Sequence, residues 1–299
     1  MCLQHIYNTF FHFYERKDLS RWEHQPSSHP VIYGMYHIYC DTGWEKLVSL
    51  QMSHLKASGL FFRTKRFFVS CITVHPGDIE KLKMIIPDDR LQIISVSSDA
   101  HLYEYPALDY IKRKCDAGDC YFYYFHTKGI SYHASRKSDY HFKKFKRNEE
   151  AWRNLMEYFL MDKWEVAVNV LNEGYDTYGS YRYPPQYPHQ PGHFYMYAGN
   201  FWWVRSEYVR KLQVIRKDQR GDRFLAERWI YQQHPRDFSA FDTWALLYST
   251  YLPSSVYRQS HSPLMDRCHF MISFNWQKFL RKVFGYQYGK HNNDKFQKV

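Results

Sequence analysis

The sequence lacks several features that would place it quickly in a class of proteins. Its six cysteines form no CxxC pair and no metal-ligand spacing, and Cys40 and Cys71 fall inside or at the end of apolar runs. This pattern predicts reduced thiols in the core of an intracellular protein. No stretch approaches the roughly 20 apolar residues that span a bilayer, and residues 1–18 contain neither a basic segment nor a cleavage site. We therefore expect a soluble, cytoplasmic chain.

Motifs for nucleic-acid binding are also missing, although the charge is strongly positive. The net charge is +11, which favours a polyanionic or phosphorylated partner: nucleic acid, an anionic membrane surface or a nucleotide diphosphate. The basic residues are scattered, and no zinc-finger or RNA-recognition motif accompanies them. Nucleic acid is therefore not an expected partner, while peripheral contact with an anionic membrane, at its inner face, stays open.

Aromatic residues, by contrast, are abundant. They make up 20% of the 299 residues, with 28 Tyr and 9 Trp, which is more than a core requires. Tyr and Trp combine an apolar face with a polar tip and suit the stacking of sugar rings and bases. The alternative interpretation is that Tyr has replaced Leu in the core.

The first half of the chain alternates between strand and helix patterns. Strands are predicted at 31–40, 66–74, 91–98 and 120–125. Helices are predicted between them: at 44–58 with Thr42 as N-cap and Gly59 as terminator, around Ile79 to Ile86, and at 103–115 with Pro106 in the first turn. Four strands separated by helices predict a parallel sheet with right-handed crossovers, which is a Rossmann-like half.

The stretch Tyr121 to Ser131, YFYYFHTKGIS, stands out within this half. A run of Tyr and Phe is typical of a buried strand, and it stops abruptly at His126, Thr127 and Lys128 before a turn at Gly129. In open α/β sheets, ligands bind at this carboxyl edge of the strands. The alternative is an ordinary central strand followed by a solvated basic turn.

The second half is less regular. The longest helical pattern covers 137–174, and 180–193 form a loop rich in Pro and Tyr. An aromatic strand at 194–205 is interrupted at 198–200, and Ser206 is expected to cap a short helix. We divide the chain into an N-terminal extension (1–30), two halves of one domain (31–135 and 136–250) and a basic C-terminal tail (251–299).

Four motifs carry a resemblance to a known family. HTKG (126–129), WRNLMEYF (152–159), YAGNFWWVRSEYVRKL (197–212) and AERWI (226–230) occur in that order after the βα half. Over roughly 31–235 the chain resembles GT-A fold glycosyltransferases of surface-polysaccharide assembly. The resemblance implies an α/β fold with a mixed, mostly parallel sheet flanked by helices and a C-terminal helical and aromatic extension. It also implies a nucleotide-sugar donor at the ends of the first strands and a saccharide or glycolipid acceptor at the second half.

The chain departs from this family at one position. GT-A enzymes usually place a DxD motif after the fourth strand, where its carboxylates hold a divalent metal on the donor diphosphate. Here the residues are His126, Thr127 and Lys128. A Lys ammonium can neutralise a leaving diphosphate as a fixed charge while His126 hydrogen-bonds it, so that no metal is needed. Alternatively, His126 ligates Mn²⁺ or Mg²⁺ together with Asp99 or Glu227, and the sequence leaves the two open.

The strand ends and the motifs suggest which residues contact substrate. Candidates for the base and ribose lie near the ends of the first and third strands: Tyr36, His37, Cys40, Ser98, Asp99, Glu104 and Tyr105. Asp99 has an alternative role as a helix cap. Thr127 lies beside the diphosphate residues. Gly199 allows a close approach to the backbone, and Asn200 offers an amide to sugar hydroxyls. Trp202 and Trp203 should point to opposite faces of a strand, one into the core and the other towards a sugar.

Glu227 is the candidate base. In AERWI it lies before a Trp, where the resemblance implies the catalytic carboxylate of inverting enzymes, and a base is needed to deprotonate an acceptor hydroxyl. The alternative is a solvated helix residue paired with Arg223 or Arg228. Other function classes also stay open: a nucleotide-sugar hydrolase or phosphorylase, and a non-catalytic carbohydrate- or nucleotide-binding protein.

Overall fold

The structure is a computed structural model, which describes residues 13–28, 30–130, 140–184, 195–220, 222–259 and 261–284. The chain divides into two compact units. The larger unit comprises the described parts of 16–136 and 156–242, and the smaller unit those of 1–15, 137–155 and 243–299.

The strands and helices, numbered in chain order, are as follows. The strands are β1 (Tyr14–Arg16), β2 (Ile32–Tyr39), β3 (Thr64–Ile72), β4 (Leu91–Ser97), β5 (Tyr121–His126), β6 (Thr177–Gly179), β7 (Arg182–Tyr183), β8 (Met196–Tyr197), β9 (Trp202–Arg205), β10 (Asp237–Ser239) and β11 (Phe241–Thr243). The α-helices are α1 (Trp44–Ala57), α2 (Leu60–Arg63), α3 (Asp78–Ile85), α4 (Tyr105–Asp116), α5 (Tyr140–Glu157), α6 (Trp164–Asn172), α7 (Ser206–Val209), α8 (Arg223–Arg228), α9 (Ser255–Arg258) and α10 (Leu264–Phe284).

The larger unit is built on a seven-stranded sheet with the order β10-β6-β9-β5-β2-β3-β4. The strands β5, β2, β3 and β4 pair in parallel, as do β10 and β6, whereas β9 runs antiparallel to β5 and β6. The predicted α/β fold with a mixed, mostly parallel sheet is therefore confirmed. Both predicted halves of the domain contribute strands to this one sheet.

The centre of the sheet is packed with aromatic rings, which explains the unusual composition. Phe122, Tyr123, Tyr124 and Phe125 of β5 are all fully buried. Gly34 in β2 faces this layer, and a Cβ added there would lie 2.7 Å from the Phe67 ring. Because real Cβ atoms do not approach so closely, glycine is required for β2 to carry aromatic neighbours on both sides. Many of the Tyr residues therefore do take the place of Leu in the core.

Two predicted helix caps are wrong. Helix α1 begins after Gly43, whose φ is 79°, and no side chain caps it, so Thr42 is not the N-cap. Ser206 is the first residue of α7, and its hydroxyl accepts the Cys120 N–H instead of capping the helix. At α1, a glycine with positive φ occupies the cap position. At α7, the Ser206 hydroxyl bonds to a residue of another element. Neither helix therefore has the local capping hydrogen bond that the sequence suggested.

The long helical pattern at 137–174 is interrupted. Helix α5 runs into a π-helical turn over Tyr158–Asp162, and α6 begins after Lys163 and ends near Gly174, as predicted. Residues 137–139 lie outside the described residues, and so does most of the predicted 180–193 loop. The interrupted strand at 194–205 is two strands of different sheets, since β8 pairs with β7 and β9 joins the main sheet.

The smaller unit is mainly helical. On α10, Phe270 is fully buried, and the Phe13 ring stacks on the Phe274 ring with centroids 4.6 Å apart. The Arg147 guanidinium lies 4.3 Å from the centre of the Tyr251 ring. Among the described residues, no helix is both long enough and apolar enough to cross a lipid bilayer.

Candidate functional site

A cleft of about 290 Å³ lies where β2, β3 and β4 end. Parallel strands direct their carboxyl ends to one edge of a sheet, and β2 and β3 are in register with Tyr39 opposite Ile72. The segments that follow these strands line the cleft, including Tyr39, Cys40, Thr73, His75, Asp78 and Ser98. The cleft therefore occupies the position at which α/β sheets usually bind ligands.

The polar groups of the cleft partly satisfy one another. Asp78 is buried and accepts a hydrogen bond of 2.5 Å from the Thr73 hydroxyl. The Lys81 ammonium lies 3.4 Å from Asp78 and 3.1 Å from Glu45. The lining thus carries charges of both signs near an open volume, which suits a polar ligand better than an apolar one.

A second polar group of residues lies at the end of β5, and we call it the His126 cluster: His126, Glu104, Gly199, Asn200 and Trp202. The Nε2 atom of His126 is 2.8 Å from the Gly199 carbonyl oxygen and 3.8 Å from a Glu104 carboxylate oxygen. The Asn200 amide donates to Glu104 and accepts a bond of 2.7 Å from the Trp202 indole N–H. Since a carbonyl only accepts, a neutral His126 ring carries its proton on Nε2.

The strand order explains why the cluster forms. Because β9 is antiparallel to β5, with Trp202 opposite Tyr124, the turn before β9 arrives at the carboxyl end of β5. Gly199 and Asn200 in this turn have φ values of 91° and 59°. Gly adopts this region without cost, and Asn tolerates it better than most residues. Glu104 joins them as the residue that precedes α4.

Thr127 fastens β5 to β2. Its N–H donates to the His37 carbonyl at 3.1 Å, and its hydroxyl accepts the Tyr39 N–H at 2.9 Å. The side chain is buried, so Thr127 holds the strand ends together and does not face a ligand, contrary to the expectation. The next residue, Lys128, is half-buried, and its N–H donates to the His126 carbonyl at 2.7 Å.

A buried chain of hydrogen bonds supports the backbone of His126. The Gln51 amide of α1 donates to Glu157 at 2.8 Å and contacts the His126 carbonyl at 3.4 Å. The Tyr36 hydroxyl donates to Gln51 at 2.6 Å, and the Tyr36 ring stacks on Phe125. Tyr36 is fully buried. The expectation that it contacts base or ribose is therefore wrong, and it belongs to the layer between the sheet and α1.

The same chain reaches the surface at His54. Its Nε2 is 2.8 Å from Asp162 and its Nδ1 is 3.4 Å from Glu157. The π-helical turn brings both carboxylates to one side, because residues five apart are aligned by its wider spacing. Hydrogen bonds to Asp162 and then to Glu157 raise the pKa of His54 to about 9. His54 is therefore positively charged at neutral pH and fixes Glu157 behind Gln51.

His37 has the opposite electrostatic environment. It is buried, and its Nδ1 is 2.7 Å from the Ser70 hydroxyl. Burial, followed by repulsion from His126 in the neighbouring strand, lowers the pKa of His37 to about 3. His37 is consequently neutral at physiological pH and does not reach the cleft, so its expected substrate contact is also wrong.

Three further aromatic candidates are buried. The Trp202 ring packs against Tyr124 and the Trp203 ring against Tyr123, on opposite faces of the sheet as predicted. Both indoles are fully buried, so neither offers a face to a sugar and the expected stacking role is wrong. Tyr105 is buried as well, and its hydroxyl donates to the Asp222 carbonyl at 2.5 Å.

Glu227 lies on α8 and is half-buried. Burial first, then the Glu104 carboxylate and Glu227, raise the pKa of Tyr124. The negative charges of Glu104 and Glu227 both disfavour the ionised form of Tyr124. Arg228, the alternative partner of Glu227, donates to the Phe224 carbonyl at 3.0 Å, and the side chain of Arg223 lies outside the described residues.

The remaining candidates lie on the open side of the edge. Asp99 is exposed and accepts the His101 N–H at 2.9 Å, which caps a 3₁₀ turn. The alternative role of Asp99 as a cap is therefore confirmed. Ser98 and Cys40 line the cleft, and their contact with substrate stays a prediction. Cys40 is half-buried, whereas Cys71 is in the core.

The described residues do not offer a metal site. Over the ranges that the structure describes, no three His, Cys, Asp or Glu side chains converge as a possible ligand set. The closest approach in the His126 cluster joins only two such groups, His126 and Glu104. A divalent cation in this region would need further protein or substrate oxygens beyond this pair.

Sequence reasoning missed most of the cleft and all of the support behind His126. Thr73 lies near the end of the second predicted strand, and His75 and Asp78 follow it, so the rule that assigns ligands to strand ends would have found them. Gln51, His54 and Glu157 carry no such pattern, because their spacing along the chain reveals nothing of their contact in space.

No protein-family model matches this sequence, and no curated protein matches it.

Proposed function

We propose that the protein is a glycosyltransferase of the GT-A type, which moves a sugar from a nucleotide-sugar donor to a saccharide or glycolipid acceptor. One observation carries the proposal: a polar cleft beyond β2, β3 and β4 and the His126 cluster beyond β5 share one edge of the sheet. The mixed sheet, with antiparallel β9 supplying Gly199 and Asn200, supports it further.

The cleft is the proposed site for the nucleoside of the donor. Its volume of about 290 Å³ is near the lower end of ligand pockets, which measure about 300 to 1,000 Å³. Hydroxyl, imidazole and carboxylate groups of Thr73, His75 and Asp78 line it. Such groups fix the orientation of a base and a ribose through hydrogen bonds.

Lys128 and His126 are proposed to stabilise the nucleoside diphosphate as it leaves. Lys128 is the second residue after the end of β5 and supplies a positive charge. The Nε2 of His126 is already engaged by the Gly199 carbonyl, so the ring would donate to a phosphate oxygen through a protonated Nδ1. The Glu104 carboxylate, 3.8 Å from Nε2, stabilises such a positive charge by Coulomb attraction.

Glu227 is proposed as the base of the transfer step. The acceptor hydroxyl oxygen forms a bond to the anomeric carbon, the bond from that carbon to the diphosphate oxygen breaks, and the hydroxyl proton passes to the Glu227 carboxylate. The bonding electrons leave with the nucleoside diphosphate, whose negative charge Lys128 offsets. The reaction needs one base beside the acceptor hydroxyl and one cation beside the leaving diphosphate.

Titration calorimetry with UDP-, GDP-, CMP- and dTDP-sugars tests the proposal. We expect one class of donor to bind and to be consumed when a saccharide acceptor is supplied, with a new glycoside detected by mass spectrometry. Donor turnover without an acceptor would instead indicate a hydrolase or phosphorylase. Binding without any turnover would indicate a non-catalytic binding protein, and no binding of any donor would refute the proposal.

A further inference from the structure

Helix α10 exposes several large apolar side chains along one face. Met265, Ile272, Trp276, Phe279 and Val283, which we call the exposed stripe, follow one another at intervals of three, four or seven residues. Such intervals place side chains on one face of an α-helix. Their exposed fractions lie between 47% and 83%. Contiguous exposed apolar surface of this kind is rare on a soluble protein unless a partner covers it.

The opposite face of α10 is already used by the smaller unit. Phe270 and Gln277 are buried, and Phe274 stacks on Phe13. The helix is therefore anchored on one side and leaves its second apolar face outward. Within the stripe, the Trp276 and Phe279 rings stack with centroids 5.6 Å apart, which joins them into one aromatic surface.

Charge identifies the kind of partner. From Leu264 to the end of the chain there are seven Lys and Arg against two Asp and no Glu. On α10 itself, Lys278, Arg281 and Lys282 are exposed and lie off the stripe. An amphipathic helix with Trp and Phe on one face and basic residues elsewhere is typical of a helix that lies in the headgroup region of a membrane. Trp is especially favoured at that depth.

We propose that α10 is a membrane-surface helix, which inserts the exposed stripe among the acyl chains of an anionic lipid surface while its basic residues contact the headgroups. The helix is not apolar enough to cross a bilayer, so it lies on the surface. The inference is independent of the proposed glycosyl transfer, because it involves none of the residues assigned to that reaction.

Co-sedimentation of the full chain with vesicles tests the proposal. We expect binding to vesicles of phosphatidylcholine with about 30% phosphatidylserine, at least about tenfold tighter than to phosphatidylcholine alone and weaker at high salt. The double variant Ile272→Gln, Trp276→Gln should lower the partition coefficient by about thirtyfold. The double variant Lys278→Gln, Lys282→Gln should lower it by about tenfold on anionic vesicles only.

A matched control removes equally exposed apolar side chains elsewhere. The double variant Phe62→Gln, Met84→Gln alters residues that are about as exposed as the stripe but lie on α2 and α3, and it should bind vesicles like the unmodified chain. Absence of binding to anionic vesicles, or equal binding of the stripe and control variants, would overturn the proposal. Light scattering that shows a dimer of the unmodified chain and a monomer of the stripe variant would also overturn the proposal, because a second copy of the chain would then cover this face.

Discussion

The two ends of the sheet edge differ in how their polar groups are satisfied. Beyond β2, β3 and β4 the side chains surround an open cleft, and Ser98 and Asp99 are exposed. Beyond β5 the polar groups bond to one another, and Asn200 and Trp202 are fully buried. An open end can adapt to a ligand, whereas a closed and buried network holds its charges in fixed positions. We therefore propose that the first end binds the donor and that the second end carries the chemistry.

The largest expected effect is that of Glu227→Gln. The substitution keeps the shape of the side chain and removes its basicity, so transfer should fall by about 10²- to 10⁴-fold while donor affinity persists. Single-turnover kinetics and donor titration on the same sample measure both. Glu207→Gln, on an exposed helix position, is the matched control. Unchanged transfer in Glu227→Gln would remove Glu227 from the mechanism and point to Glu104 as the next carboxylate to test.

Lys128→Ala should cut turnover by about a hundredfold, the scale expected for one preorganised electrostatic contact, with a smaller change in melting temperature. Lys83→Ala, which removes an exposed lysine of α3 paired with Glu80, serves as its control.

Assays with EDTA test directly whether the charge of Lys128 acts without a metal. Full activity after chelation is expected, and complete loss of activity that Mn²⁺ restores would contradict it.

Asn200→Gly should lower the free energy of unfolding by about 2 to 3 kcal/mol, because it removes the hydrogen bonds to Glu104 and Trp202. Glycine accepts the positive φ of this position, so backbone strain does not contribute. Ser98→Ala at the open end should change stability by less than about 0.5 kcal/mol. Urea denaturation of both variants measures these changes in the free energy of unfolding. Equal losses of stability in the two variants would contradict the contrast between the two ends.

Buried His37 predicts a pH dependence of stability. Its folded pKa of about 3 lies below the unfolded value of 6.5, so at lower pH only the unfolded chain takes up this proton. Stability should fall as the pH drops from about 6.5 towards 3, by about 1.4 kcal/mol per pH unit from this group. Denaturation curves of wild type and His37→Gln at several pH values should differ by that slope. Parallel curves would show that His37 titrates normally.

His54, in the same unit, predicts a pH dependence of stability with the opposite sign. Its folded pKa of about 9 lies above 6.5, so its contribution to stability is complete below pH 6.5 and is lost as the pH rises through 9. His54→Gln should therefore weaken the protein more at pH 6 than at pH 9.5. An equal loss of stability at both pH values would mean that the carboxylates of Glu157 and Asp162 do not stabilise the protonated His54 ring.

The sequence predicted the sheet well because strand and helix patterns are local. The aromatic strand at β5, its stop at His126 and the strand–helix alternation before it all depend on neighbouring residues. Burial was predicted poorly at Tyr36, at His37 and at one of the two residues Trp202 and Trp203, because an alternating strand pattern does not reveal whether helices cover both faces. The contact of Glu104 with Asn200 depends on β9 being antiparallel, which no local pattern in the sequence indicates.

Parallel measurements on Ser98→Trp and Glu227→Gln test most directly whether donor binding and sugar transfer depend on different ends of the sheet edge. A Trp at position 98 would occupy part of the cleft, so donor Kd should rise at least about tenfold while transfer at saturating donor stays within about threefold of wild type. Glu227→Gln should show the reverse, with donor Kd unchanged and transfer reduced by about 10² or more. Normal donor affinity in Ser98→Trp, or the same defect in both variants, would contradict the account.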